Sequence, residues 1–382
     1  MYFSGPDIEF LLEAAVGSYL IARFFLSRFG RFAILPPMAL EIALGFVLAR
    51  AHLASGVIGS PTYLLGEAGV VAVIAAGGTH VLVKGSDPLV LRSIRIAVIG
   101  VAASILFVGA VLVALSYPFL QAGVIALALA PSSAGVASRV LVGAGANRTR
   151  EAKTFFVTAV FDDMLGLLGL AVVEVLVVHV GTKAIVGLIF EALVGLAGLA
   201  INRLVAVKFG GKAAPGVAVV TWIAIGVVAF AAQMASASPI VVAFVLAMAL
   251  SHILGEKKIT AKVERIGFIL LPLFFVSLGA IAGGFAAPLA MVLFASAALV
   301  VAAVAAKLLA ARIGFGSPGG VAVGVMLSPR AEITFVIALA GQAAGVLQSA
   351  NLFMIAVVCV VLGTGASVAL VRMVAKLQPS PS

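Results

Sequence analysis

Short breaks rich in charged residues, proline and glycine divide the chain into thirteen apolar stretches of 16 to 29 residues. A helix of that length crosses the ~30 Å hydrocarbon core of a bilayer. The stretches lack the alternation typical of strands, so we do not expect a membrane barrel. The sequence therefore predicts an all-α polytopic membrane protein with about 13 transmembrane helices, at residues 8–28, 31–50, 61–84, 91–116, 119–144, 152–180, 184–207, 214–234, 238–253, 264–285, 287–314, 318–345 and 350–376.

Composition excludes the soluble classes of protein. Apolar residues make up 64% of the 382 residues and charged residues only 10%, against about 45–50% and about 25% in a soluble domain. Too few polar side chains are present to cover a water-soluble globule of this size. We therefore exclude a cytosolic enzyme, a disordered chain and a nucleic-acid-binding protein, despite a net charge of +10.

The basic residues predict how the spans are oriented. Twenty of the 24 lysines and arginines lie in or beside the odd-numbered connections and the C-terminal tail, whereas the even-numbered connections hold only Arg50 and Lys183. Basic residues favour the cytoplasmic side of a membrane. We therefore expect the N-terminus outside and the C-terminus in the cytoplasm. The two remaining basic residues, Lys307 and Arg330, lie inside predicted spans.

Two of the predicted spans are interrupted near their middles. The fifth reads LALAPSSAGVASR, with its break at Pro131, and the twelfth reads GVMLSPRAEITFV, with its break at Pro329. Proline removes a backbone donor, and irregular backbone at membrane depth persists only where it is buried in protein or lines a cavity. The breaks are seven spans apart, so they cross in opposite directions. Six spans, one linking span and six more predict inverted repeats with two broken helices crossing at the midplane, the architecture of a secondary transporter.

The sixth span carries an acidic pair, Asp162 and Asp163, in the apolar segment FDDMLGL. The pair lies about ten residues into the span, which is ~15 Å and close to the bilayer midplane. Adjacent helical residues point ~100° apart. One carboxylate is therefore expected to pair with a cation of the protein while the other faces an aqueous cavity. A carboxylate at this depth binds either a proton or a small hard cation through oxygen, which is the competition that exchange of H⁺ for Na⁺ requires.

Other ionisable residues within the spans admit two interpretations. Lys307 is either a counter-ion for one aspartate or a lysine whose ammonium reaches the cytoplasmic interface. Arg330 and Glu332, together with Pro131, support the broken helices, and the two charges either neutralise each other or take part in function. Sequence reasoning leaves open the roles of four further acidic residues: Glu41, Glu67, Glu174 and Glu191.

An ordered set of motifs resembles the monovalent cation/proton antiporters of the NapA-like bacterial branch, over roughly residues 31–376. In chain order these are PPMALEIALGFVLA, SSAGVASRVL, FDDMLGLLGLAVV, SPIVVAFVLAM, LPLFFVSLG, AAKLLAARIG and MLSPRAEITFVIA. Each motif alone is weak, but their order together with the Asp-Asp pair and both breaks is specific.

The resemblance implies a role for each candidate residue. Asp163 is the main Na⁺- and proton-binding carboxylate, and Asp162 pairs with Lys307 until the bound cation takes the place of that lysine. Ser132 and Ser133 help to complete the coordination of the ion. Antiporters with an Asp-Asp pair are generally electrogenic and exchange two protons for each sodium ion.

The resemblance also implies a homodimer in a bacterial inner membrane, in which a transport core slides against a fixed scaffold. The scaffold is expected at about 1–90 and 184–285, and the core at about 91–180 and 287–376. No soluble regulatory domain, cofactor or enzymatic activity is expected.

Several alternatives to Na⁺/H⁺ exchange remain open from the sequence. Oxygen ligands alone do not fix cation size, so Li⁺ or K⁺ exchange for H⁺ is a close alternative. The same inverted-repeat architecture supports a sodium-coupled organic-anion symporter. A channel and an intramembrane hydrolase are the remaining alternatives, and no Ser-His or metal-binding pair favours the hydrolase.

Overall fold

We analysed a computed structural model of the chain. It describes residues 5–28, 37–54, 57–79, 88–133, 137, 141, 149–177, 182–209, 215–232, 234, 237–251, 253–254, 257–285, 288–316, 319–330, 332–343, 345–347 and 350–377. Within these ranges the chain forms fourteen helices and no strand. The predicted all-α fold is therefore confirmed.

The described helices are numbered by their position along the chain. In chain order they are α1 (Gly5–Arg28), α2 (Pro37–Arg50), α3 (Pro61–Gly78), α4 (Pro88–Ala114), α5 (Phe119–Ala128), α6 (Arg150–Val177), α7 (Thr182–Phe209), α8 (Pro215–Ala232), α9 (Pro239–Ala249), α10 (Lys257–Gly283), α11 (Leu289–Phe315), α12 (Gly319–Met326), α13 (Glu332–Ala343) and α14 (Ala350–Leu377).

Each predicted span overlaps a helix of the described ranges, and the twelfth, fifth and tenth spans differ from their helices in extent. The twelfth span is two helices, α12 and α13, because the backbone at 327–330 leaves the helical path on either side of Pro329. The fifth span ends its first helix at Ala128, and residues 129–133 are irregular. The tenth helix begins earlier than predicted, at Lys257, because lysine is a good helix former and does not end a helix as the charge pattern suggested.

Six helices in the described part of the chain are long and apolar enough to cross a membrane. They are Pro61–Gly78, Pro88–Ala114, Arg150–Val172, Lys258–Gly283, Leu289–Phe315 and Asn351–Val371. Shorter apolar helices, among them Phe119–Ala128 and Pro239–Ala249, accompany them. The protein is an integral membrane protein with several spans.

The chain forms two compact units. The first consists of Met1–Ser60, Lys84–Leu170 and Phe275–Ser382, and the second of Pro61–Val83 and Ala171–Phe274. The first unit has an apolar core in which α4, α6, α11 and α12 meet, and the second has a core built by α3, α8 and α9. The predicted division into a moving core and a fixed scaffold concerns motion and stays a prediction.

Within the first unit, α2 and α10 approach each other backbone to backbone. A Cβ atom added at Gly45 would lie 1.8 Å from the carbonyl oxygen of Val276, and one added at Gly279 would lie 1.9 Å from that of Ile42. Close approach of this kind is a common use of glycine between membrane helices, where van der Waals packing drives association. A backbone atom cannot swing aside as a side chain does, so both positions require glycine.

We expect Gly279→Ala to lower the thermal unfolding midpoint of the detergent-solubilised protein, because overpacking against backbone costs about 1–3 kcal/mol. Gly365→Ala is the matched control, since a Cβ there meets nothing within 4 Å and alanine favours the helix by about 1 kcal/mol. Midpoints measured by size-exclusion chromatography after heating should therefore move in opposite directions. Equal midpoints for both variants would contradict the close approach.

Candidate ion-binding site

The acidic pair lies deep within α6. Asp162 is twelve residues from the start of this helix at Arg150, which is roughly 18 Å along its axis. The Asp162 side chain is fully buried, whereas the neighbouring Asp163 is partly exposed. The two carboxylates therefore have different surroundings, as their ~100° separation around the helix requires.

Lys307 of α11 forms an ion pair with Asp162. Its Nζ atom lies 2.6 Å from Asp162 Oδ2, and both side chains are 0% exposed. Asp163 also interacts electrostatically with this ammonium. A buried charge without a partner costs several kcal/mol, so each member of the pair depends on the other.

A glycine on α4 makes room for the lysine. A Cβ added at Gly100 would lie 3.1 Å from Lys307 Nζ and 3.3 Å from its Cδ. The bare backbone at this position allows α4 to pack directly against the aliphatic part of the lysine. Sequence reasoning missed Gly100, because nothing distinguishes it among 41 glycines.

Ser132, in the break after α5, contacts the same carboxylate. Its Oγ lies 2.6 Å from Asp162 Oδ2 and 2.8 Å from the carbonyl oxygen of Leu327. A hydroxyl carries one proton and so donates to only one of these acceptors at a time. Asp162 Oδ2 thus has two close polar neighbours, while Oδ1 is buried with no hydrogen-bond partner among the described residues.

The two helix breaks are bonded to each other through the backbone. The N–H group of Ser133 donates to the carbonyl oxygen of Pro329 at 2.8 Å. Pro131 packs against α6, where a Cβ added at Gly166 would lie 2.4 Å from its Cγ. Irregular backbone is tolerated at membrane depth when protein groups satisfy its polar atoms, and these contacts meet that requirement next to Asp162.

Arg330 holds the break that follows α12. Its Nη1 atom donates to the carbonyl oxygens of Leu327 at 2.7 Å and of Pro329 at 3.3 Å, and the side chain is 2% exposed. A cation at the C-terminal end of a helix also balances the helix dipole. Thr364 of α14 donates its hydroxyl proton to the Arg330 carbonyl and accepts a hydrogen bond from its N–H. Sequence reasoning missed Thr364, which carries no motif.

The structure thus brings together Asp162, Lys307, Ser132 and the two breaks, with Asp163 and Arg330 close to them. For Ser133 it is the backbone N–H that bonds, and its hydroxyl has no partner among the described residues. For Glu332 and Glu174 the structure describes the backbone, which is helical, but not the side chains.

Three of the other acidic residues within spans lie on helices that contribute no residue to this group. Glu41 is buried in α2, and Glu67 lies on α3 in the second unit. Glu191 of α7, also in the second unit, accepts a hydrogen bond from the backbone N–H of Ser238 at 3.0 Å. Since Ser238 directly precedes α9, this contact satisfies a helix N-terminus and is structural.

The site contains oxygen atoms that can act as ligands of a small cation. Carboxylates, hydroxyls and backbone carbonyls are the ligands of hard cations, and Asp162, Asp163, Ser132 and the Leu327 carbonyl supply all three kinds. No group of three or more His, Cys, Asp or Glu side chains able to hold a metal ion occurs in the described part of the chain.

Residues 16–376 match the family described as sodium/hydrogen exchanger, transmembrane. No curated protein matches the chain at a significant level.

Among solved structures, the fold is similar to that of the sodium proton antiporter MjNhaP1 from Methanocaldococcus jannaschii, determined at pH 8. The sequence identity is 15%, the TM-score is 0.69, and the match covers 97% of this chain and 98% of that chain. The likeness at this identity establishes the fold. Because the family match spans nearly the entire chain, the protein belongs to the sodium/hydrogen exchanger family of transmembrane proteins.

Proposed function

We propose that the protein exchanges Na⁺ for protons across a membrane, electrogenically, with Asp163 as the main ion-binding carboxylate and Asp162 as its partner. The observation that carries the proposal is the buried ion pair between Asp162 and Lys307, 2.6 Å long, beside two broken helices. Ionisable residues buried within membrane spans are energetically costly, and they most often mark a functional site. The name of MjNhaP1 as a sodium proton antiporter agrees with it.

Na⁺ and H⁺ are coupled because they compete for the same carboxylate oxygens. Asp163, which is partly exposed, is either protonated or bound to Na⁺, because both ligands use the same oxygen lone pairs. When Na⁺ binds, Asp162 turns from Lys307 to the ion, and Ser132 completes the coordination. The buried ammonium of Lys307, left without its carboxylate, releases the second proton and takes it up again when Na⁺ leaves. Release of Na⁺ restores the pair with Lys307.

The site is expected to serve both sides of the membrane by alternating access. In this proposal a transport core, about 91–180 and 287–376, moves as an elevator against a scaffold, about 1–90 and 184–285, within a homodimer. Inverted repeats of six spans around one linking span provide the two equivalent orientations. The N-terminus lies outside a bacterial inner membrane and the C-terminus in the cytoplasm.

We expect Asp163→Asn to abolish Na⁺-dependent proton flux in proteoliposomes that contain a pH-sensitive dye. The amide neither takes up a proton near neutral pH nor carries the charge that holds Na⁺. Glu9→Gln, an exposed change on α1, is the control and should retain full flux. Flux that survives in Asp163→Asn would show that the main carboxylate has been assigned to the wrong residue.

We expect Lys307→Ala to destabilise the folded protein by about 3–5 kcal/mol, because it leaves Asp162 buried without its cation. The double variant Lys307→Ala with Asp162→Asn removes both charges and should recover much of the loss in thermal midpoint. A double variant no more stable than Lys307→Ala would mean that the lysine acts through packing. Added Na⁺ should raise the midpoint of the wild type more than that of the double variant, which keeps Asp163 but lacks the Asp162 carboxylate.

We expect a valinomycin clamp at zero potential to increase the initial rate of Na⁺-dependent proton flux. Two protons exchanged for one Na⁺ move net charge, which builds an opposing potential in unclamped vesicles. Flux measured with Na⁺, Li⁺, K⁺ and choline at equal concentration identifies the cation. An initial rate that is the same with and without the clamp would establish electroneutral exchange. Proton flux with K⁺ alone would show that K⁺, and not Na⁺, is the substrate.

A further inference from the structure

The second unit contains a cavity that takes no part in the proposed ion exchange. Its volume is about 370 Å³, which lies within the range of pockets for small molecules, about 300–1,000 Å³. The walls come from α3 and α8, with Pro239 of α9 and Val263 of α10. Most of the lining is aliphatic and includes Leu64, Val71, Ala72, Ile225 and Ala229.

One ionisable side chain lies in this apolar lining. Glu67 of α3 is half-buried, and it makes no hydrogen bond or ion pair with another residue of the described ranges. Its helix, Pro61–Gly78, is one of the six that are long and apolar enough to span a membrane. A carboxylate in a membrane span is costly unless a partner neutralises it. The cavity therefore has a negative group suited to a cationic ligand.

Aromatic side chains from α8 line the same cavity. Trp222 is 9% exposed, and its Nε1 atom is buried with no hydrogen-bond partner in the described part of the chain. Phe230, further along α8, is 73% exposed at the cavity. Aromatic faces attract ammonium groups through their ring quadrupole, and tryptophan does so most strongly.

We propose that this cavity binds a monovalent organic ammonium with an apolar body, such as a protonated alkylamine or arylalkylamine. The ammonium pairs with Glu67, and the apolar body packs among the aliphatic and aromatic residues of α3 and α8. A free amine fits this charge better than a zwitterionic phospholipid does, because the lipid phosphate would be held near the Glu67 carboxylate. The site shares no residue with the proposed ion exchange and does not depend on it.

Trp222 is the only tryptophan in the chain, so its fluorescence reports on this cavity directly. The full-length protein in phosphatidylcholine nanodiscs is titrated with octylammonium, and in parallel with 1-octanol and octanoate. We expect a saturable change in emission with octylammonium that neither the neutral nor the anionic analogue reproduces. Partition of the probes into lipid gives instead a change that is linear in concentration.

Two variants test the cavity from different sides. Glu67→Gln should weaken octylammonium binding about tenfold or more, the effect of losing a hydrogen bond to a charged group. Gly226→Leu should also weaken it, because this residue lines the cavity and an added Cβ there meets nothing within 4 Å, so the larger side chain can take up space that the amine would occupy. Glu9→Gln on α1 is the matched control and should bind as the wild type does.

Three results would overturn the proposal. Equal titrations of the wild type and Glu67→Gln would show that the carboxylate does not bind the ammonium. A Glu67-dependent change in Trp222 emission on moving to phosphatidylethanolamine nanodiscs, without added amine, would identify a lipid as the occupant. A change that follows protein concentration instead of amine concentration would mean that a second copy of the chain covers the cavity.

Discussion

The ion pair between Asp162 and Lys307 is the interaction on which the other features of the first unit depend. Each charge alone would cost several kcal/mol when buried. The pair is stable only when neighbouring polar groups bond to the remaining lone pairs and N–H groups of the two side chains. The Ser132 hydroxyl supplies one such group. In an intact α-helix the backbone carbonyls and N–H groups bond to one another. Backbone groups are available near the ion pair because two helices are broken there.

The breaks in turn depend on contacts from outside their own segments. Ser133 and Pro329 join the two irregular stretches through the backbone, while Arg330 and Thr364 hold the second stretch in place. Gly100 and Gly166 let α4 and α6 approach closely enough to pack against Lys307 and Pro131. The site is therefore built by α4, α6, α11, α14 and the breaks after α5 and α12, all in one compact unit, and a change in any of the six alters the surroundings of Asp162.

Much of this could be predicted from the sequence, and the remainder could not for identifiable reasons. Apolar length predicted the membrane fold, and proline predicted both interruptions, because these are local properties of the chain. The pairing of Lys307 with Asp162 joins residues 145 positions apart; without the family resemblance a lysine reaching the interface explained the pattern equally well. Thr364, Gly100 and the cavity beside Glu67 arise only when several helices meet, and no local signal marks them.

The direction in which the Ser132 hydroxyl donates its proton depends on the charge of Asp162. A single O–H faces two acceptors, a carboxylate oxygen on α6 and the Leu327 carbonyl just beyond α12. When Asp162 is ionised, the proton turns toward it; when that oxygen is neutralised, the proton turns toward Leu327. Rotation of the Ser132 hydroxyl thus links the charge of Asp162 to the hydrogen bonding of the Leu327 carbonyl at the end of α12, and the backbone does not have to move.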